Sequence, residues 1–227
     1  MPSVWSRRLA GKQWRWEKQN NYFLFKMIKA IIFDFGGVLS TDDDIPKFWQ
    51  ENGKKLGVDP EAGSEIALPI WMEARVGKID SDIYWEKLGA FTKMSAEEFK
   101  KYFIGCTGFC DDLYGYIKEK LQGKYQLAIL SNQIKSWFEP IADKKKFREV
   151  FDVIITSYDT GIAKPDIEIY EKTIKELGVK ASECVFVDDR PKNIEPAKKL
   201  GMRVVEFRNY DQFVEDLNKI LAEKHIQ

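Results

Sequence analysis

Apolar residues along this chain gather into short continuous runs rather than an alternating pattern. Ala30-Ile31-Ile32-Phe33, Gln126-Leu127-Ala128-Ile129-Leu130, Val153-Ile154-Ile155, Cys184-Val185-Phe186-Val187 and Arg203-Val204-Val205-Glu206-Phe207 are rich in β-branched residues. Runs of this length predict strands covered on both faces. Helical periodicity lies between them. Residues 112–122 predict one helix, and residues 166–177 another, opening after Lys164-Pro165 with the proline near its first turn and stopping at Gly178. Residues 191–200 predict a third, ending at Gly201, and Phe213, Leu217, Ile220 and Leu221 form the apolar stripe of a last one. Strand and helix in alternation predict an α/β fold with a doubly wound parallel sheet.

The spacing breaks once. Asp34 to Ser131 spans 97 residues, against 33 from Ser131 to Lys164 and 24 from Lys164 to Asp188. A strand-helix-strand crossover needs roughly 30 residues. The excess predicts an inserted domain over residues 42–106, with the core formed by 27–41 and 107–227. The insert reads as helical. Ile45, Phe48 and Trp49 share a face, as do Phe99, Tyr102 and Phe103. Asp59-Pro60 suits a helix start, and Ser95-Ala96-Glu97-Glu98 suits a capping box. This predicts a small α-helical cap over the carboxyl ends of the strands, on hinges near 40–43 and 106–111. Asp42-Asp43-Asp44 reads as a solvated turn, and Trp49, Trp71 and Trp85 as cap core or cap surface.

Charge separates off one segment. Residues 1–26 carry six basic residues, one acid and three of the seven tryptophans, in a chain whose 36 basic and 36 acidic residues cancel as a whole, so the remainder is net acidic. The segment reads as an N-terminal extension, a misassigned start or an expression remnant, with a fresh methionine at Met27. A sharper alternative is a basic-aromatic arm that touches a membrane, RNA or the protein itself. The overall balance predicts no nucleic-acid partner, and no apolar run approaches the ~20 residues of a membrane span. Three cysteines, Cys106, Cys110 and Cys184, are an odd and sparse set that predicts a reducing, cytoplasmic compartment and inert thiols. The single histidine, His225, excludes a Ser-His-Asp triad and His-rich metal sites. Carboxylates, lysine, hydroxyls and a hard metal ion remain.

Those groups stand at the strand ends. The first strand delivers Asp34, the second Ser131-Asn132, the turn after the third Lys164-Pro165, and the fourth Asp188-Asp189. A parallel sheet brings such ends to one edge. Three carboxylates with one ammonium repel one another unless a cation joins them, and hard oxygen ligands suit Mg²⁺. The set fits phosphoryl transfer, which depends on positioning and charge neutralisation. Asp34 would attack phosphorus, Ser131 and the amides near Asn132 would bind phosphate oxygens, and Lys164 would neutralise charge and orient Asp34.

The same four segments resemble the motifs of the haloacid dehalogenase-like hydrolase superfamily. Phe33-Asp34-Phe35-Gly36-Gly37-Val38-Leu39 resembles its first motif and Leu130-Ser131-Asn132 its second. Lys164-Pro165 with Ile169-Tyr170 resembles the third, and Val187-Asp188-Asp189 with Asn193, Ala197 and Leu200-Gly201-Met202 the fourth. The resemblance covers about residues 28–207 and is nearest to small-molecule phosphatases with a helical cap after the first motif. It implies a Rossmann-like core, an aspartyl-phosphate intermediate on a small phosphorylated metabolite, and a monomer or homodimer. It also implies Mg²⁺ held by Asp34, the carbonyl of Gly36, and the fourth motif, with Asp189 the direct ligand and Asp188 its support.

One position departs. Such phosphatases carry a second aspartate where this chain has Gly36, and that aspartate is the general acid-base. Three readings follow: a phosphatase using good leaving groups or a borrowed acid, a metal-independent dehalogenase-type hydrolase, or a weak or non-catalytic protein that binds a phosphorylated ligand.

Overall fold

The structure is a computed structural model describing residues 27–41 and 44–222. The basic-aromatic segment 1–26, Asp42, Asp43 and His225 lie outside the described residues. Among the described residues seven strands are formed: β1 (Ala30–Phe33), β2 (Ser40–Thr41), β3 (Gly108–Phe109), β4 (Gln126–Ser131), β5 (Val153–Thr156), β6 (Cys184–Asp188) and β7 (Arg203–Glu206). Five make one parallel sheet in the order β5-β4-β1-β6-β7.

The register explains why these strands are apolar throughout. Ile31 pairs with Leu127 on one side and Val185 on the other, and Ile32 with Ala128 and Phe186. Successive side chains point to opposite faces. Ile31, Phe33, Leu127, Ile129, Val185 and Val187 therefore enter one core with Leu113, Phe138, Phe147 and Phe213. Ala30, Ile32, Ala128, Leu130 and Phe186 enter the other with Ile169, Tyr170, Ile194 and Ala197. Helices cover both faces, so the sheet is doubly wound. Phe33 is fully buried against Phe151 and Phe213, and truncating such a side chain costs about 3–5 kcal/mol.

Several elements differ from expectation. The helix predicted over 112–122 is an α-helix, Asp111–Tyr116, followed by a π-helical turn, Ile117–Leu121. The helix predicted from 166 begins at Ile167, with Asp166 at its N-cap, so Pro165 lies in the turn before it. Lys164-Pro165 is a cis peptide. The helix Lys135–Lys145 went unanticipated because Pro140 sits inside it.

Between β2 and β3 lie four helices, Ile45–Asn52, Pro60–Ala74, Asp82–Thr92 and Ala96–Cys106. Their starts follow from local chemistry. Asp44 and Asp59 accept the amides of Lys47 and Ala62, each at 2.9 Å, and Ser95 with Glu98 closes a capping box. Asp44 is thus a helix cap rather than part of a solvated turn. Phe48, Trp49, Tyr84, Trp85, Phe99 and Phe103 form their core, into which Trp137 projects from the sheet side, its ring 4.6 Å from that of Phe103. Trp49 and Trp85 are buried here. The insert is docked on the core by polar contacts as well: Trp85 Nε1 donates to Ser136 Oγ at 2.7 Å and the Ser136 amide donates to Ser81 Oγ at 3.2 Å. The chain enters and leaves through β2 and β3, paired antiparallel.

Candidate functional site

β1 lies between β4 and β6, so Asp34, Ser131 and Asp188 emerge side by side at one end of the sheet. The Asp34 amide continues the ladder, donating to Val187 O at 2.8 Å. Lys164 arrives from the loop after β5. Its Nζ lies 2.8 Å from Asp34 Oδ1 and 2.7 Å from Asp188 Oδ2, with its side chain fully buried. Asn132 holds that loop. Its Nδ2 donates to Lys164 O and its Oδ1 accepts the Lys164 amide, both at 2.8 Å. The Asn132 side chain is thereby committed to the Lys164 backbone. Ser131 is buried as the last residue of β4.

The two neighbouring aspartates after Val187 have different surroundings. Asp188 is saturated: besides Lys164 it accepts the Arg190 amide at 2.9 Å and Asn193 Nδ2 at 3.0 and 3.1 Å. Asp189 is not: its Oδ1 is buried without any hydrogen-bond partner. Oxygens of Asp34, Asp188 and Asp189 lie within 4.8 Å of one another. The Asp189 carboxylate packs on Gly37, which has φ 72° and lacks the Cβ that would fill that space.

The electrostatics follow from three carboxylates sharing one ammonium. Burial raises the Asp34 pKa far above the usual carboxylate range; Lys164 opposes this, and Asp188 adds to it. Burial also raises Asp189, helped by the charge of Asp188. For Asp188 burial is outweighed by Lys164, and its pKa is lowered. Lys164 is raised, because the two carboxylates overcome its burial. A cation among these oxygens would relieve the excess charge, and the orphaned Asp189 oxygen is a free donor for one. The cluster fits a hard divalent ion on that ground.

Gly36 is half-buried in the turn between β1 and β2, and brings no acidic group. Sequence reasoning missed Gln133 and Arg190. Gln133 is buried and accepts Trp71 Nε1 at 3.1 Å, while Arg190 Nε lies 3.9 Å from Asp189 Oδ2. Each is adjacent in sequence to a predicted site residue, which is the only signal that could have found it. Cys106 is exposed, Cys110 half-buried and Cys184 buried, all as free thiols away from the carboxylates.

The sequence pattern of the haloacid dehalogenase-like hydrolases matches residues 28–201. A glyceraldehyde 3-phosphate phosphatase of Methanocaldococcus jannaschii is 42% identical over 194 residues, covering 79% of this chain and 84% of the relative. A D-ribitol-5-phosphate phosphatase of Bacteroides thetaiotaomicron is 32% identical over 207 residues, covering 86% and 99%. A haloacid dehalogenase family enzyme from the same bacterium, solved with magnesium and inorganic phosphate, superposes with a TM-score of 0.69 at 21% identity, covering 82% of this chain and 98% of that one. Among the described residues no helix is long and apolar enough to cross a membrane.

Proposed function

Because this chain belongs to the haloacid dehalogenase-like hydrolases, we propose that it is a Mg²⁺-dependent phosphatase of small phosphorylated metabolites. The observation that carries the reading is the cluster of buried Asp34 and Asp188, paired with one ammonium, and half-buried Asp189, whose buried oxygen is left unpartnered. Phosphatases among the relatives support it.

Asp34 is the nucleophile. Its carboxylate attacks phosphorus, the bond to the leaving oxygen breaks, and an aspartyl-phosphate results. Ser131 and the main chain at Asn132 bind phosphate oxygens, while Lys164 holds Asp34 in orientation and balances charge that develops on the phosphoryl group. Water then cleaves the acyl-phosphate and frees Asp34. Asp34, the Gly36 carbonyl and Asp189 would hold Mg²⁺, with Asp188 supporting through its contacts to Lys164, Arg190 and Asn193. When bound, the ion neutralises phosphate and carboxylate charge so that the two can approach. With glycine at position 36 the leaving oxygen takes its proton from water. The insert of residues 42–106 serves as a cap that shields the site from bulk solvent and sets specificity.

The test is hydrolysis of p-nitrophenyl phosphate and of a phosphometabolite panel that includes glyceraldehyde 3-phosphate and D-ribitol 5-phosphate. Turnover that requires Mg²⁺ and is lost in Asp34→Asn is expected. Turnover unaffected by a chelator would overturn the metal reading. Gly36 favours one second reading, a protein that binds a phosphorylated ligand without hydrolysing it, which saturable binding with no turnover across the panel would establish.

A further inference from the structure

The insert meets the core along residues 71–77. Trp71 reaches Gln133, next to Ser131-Asn132, and a Cβ built at Gly77 would lie 3.1 Å from the Tyr158 carbonyl. Arg75 sits in this seam. Its guanidinium stacks on Trp71, with Cζ 4.7 Å from the ring centroid, and its Nε is buried with no hydrogen-bond partner. No carboxylate among the described residues pairs with it. The charge that acts on it is that of another guanidinium, Arg190. Burial first, and then Arg190, lowers the Arg75 pKa from the usual arginine value; the group remains charged. Arg190 is itself poorly satisfied. Its Nε stands 3.9 Å from Asp189 Oδ2, beyond hydrogen-bond reach, and its side chain is 43% exposed.

A buried guanidinium nitrogen with no carboxylate to meet it, in the field of a second guanidinium, is unfavourable until an anion completes it. No hydrogen bond among the described residues occupies either guanidinium, whose planar fork geometry grips carboxylate or phosphate oxygens. Arg75 ends the helix whose Trp71 bonds Gln133 beside Ser131-Asn132, and Arg190 follows Asp189, so both border the site proposed for the phosphoryl group.

We propose that Arg75 and Arg190 form a second anion subsite at the seam between insert and core, which binds a carboxylate or a further phosphate on the substrate. This rests on the phosphatase reading for what occupies the first site. Phosphate esters with an uncharged remainder would then rank below those that carry a second anionic group.

Three phosphate esters that differ at one carbon test it: hydroxyethyl phosphate, phosphoglycolate and ethanediol bisphosphate. Their affinities are measured by calorimetry on Asp34→Asn protein with Mg²⁺, so turnover is not needed. The carboxylate or bisphosphate compound should bind at least about tenfold tighter than the hydroxyl compound. Arg75→Gln should bring that ratio close to one, and Arg75→Lys should keep part of it. Arg190→Gln, which leaves the stacking on Trp71 intact, should also shrink the ratio and covers the case in which Arg75→Gln fails to fold. Whichever of the two compounds shows the preference identifies the group the subsite takes. Equal affinities for all three, or a ratio that survives both substitutions, would overturn the subsite. The phosphatase reading fails separately, if the wild type hydrolyses none of the three and no p-nitrophenyl phosphate.

Discussion

The Asp189 carboxylate occupies the space that a side chain at Gly37 would take: a Cβ built there would lie 2.4 Å from Asp189 Oδ2. The first and fourth motifs touch at this point, although they are far apart in sequence. Gly37→Ala should therefore act twice. The residue has φ 72°, where alanine costs about 1–2 kcal/mol, and the new methyl group must push Asp189 away. We expect a lower unfolding midpoint and, separately, a Mg²⁺ requirement for activity shifted roughly tenfold or more upward. An unchanged Mg²⁺ requirement would remove Asp189 from the metal site.

Asp34→Asn keeps the shape of the side chain and removes the proposed nucleophile. Turnover of p-nitrophenyl phosphate should fall by on the order of 10³-fold or more, while circular dichroism stays the same. Retention of even a tenth of the rate would mean that another group attacks phosphorus.

Asn132 ties the turn after β4 to the loop that carries Lys164, through two hydrogen bonds of 2.8 Å. Asn132→Ala strands the Lys164 amide and carbonyl. It should destabilise the protein by about 1–3 kcal/mol, read from denaturant midpoints, and lower kcat as Lys164 loses its placement. A variant of native stability and rate would show that Lys164 is held by its carboxylates alone.

Glycine at position 36 should make the rate depend on the leaving group. Aryl and acyl phosphates should be hydrolysed roughly 10²-fold faster than alkyl phosphates, and Gly36→Asp should flatten that preference. Equal rates across leaving groups in the wild type would mean that an acid reaches the site from elsewhere.

The carboxylate cluster links Mg²⁺ to protons. Asp34 and Asp189 have raised pKa values, so the folded protein keeps their protons to higher pH than the unfolded chain does. The stability tied to them is complete below about pH 4 and is lost as pH rises through their folded values. Asp188 runs the other way: its pKa is lowered, so its contribution is complete above about pH 4 and is lost as pH falls through its folded value. Mg²⁺ competes with protons for Asp34 and Asp189. The rise in Tm caused by Mg²⁺ should therefore grow as pH rises above the ordinary carboxylate range of about 4, with protons released on binding. A rise independent of pH would place the ion elsewhere.

Much of the candidate site was legible because each part announces itself locally. A carboxylate or hydroxyl directly after a run of apolar, β-branched residues is a strand-end residue whatever the rest of the chain does, and Asp34, Ser131 and Asp188 are of this kind. The insertion was legible from spacing, since 97 residues are too many for one crossover. The caps at Asp59 and Ser95 were legible because capping joins residues three apart. Where local signals conflicted, the reading slipped. Pro140 hid the helix Lys135–Lys145, and Asp44, in a row of aspartates, looked like a turn instead of a cap.

The sequence by itself determined the class of fold, the position of the insert and the set of chemical groups, because periodicity and apolar runs record which residues leave water. Only the tertiary structure decided which group meets which. Asn132 grips the Lys164 backbone across 32 residues, Trp71 reaches Gln133 across 62, and Asp189 rests on Gly37. These pairings depend on strand order, and on the direction from which each loop enters, so nothing in the pattern near either partner specifies them. Arg75 shows the same limit: its own segment reads as an ordinary helix end, and it becomes an unpartnered cation only when the insert is set down on the core, where burial removes the water that would otherwise satisfy it.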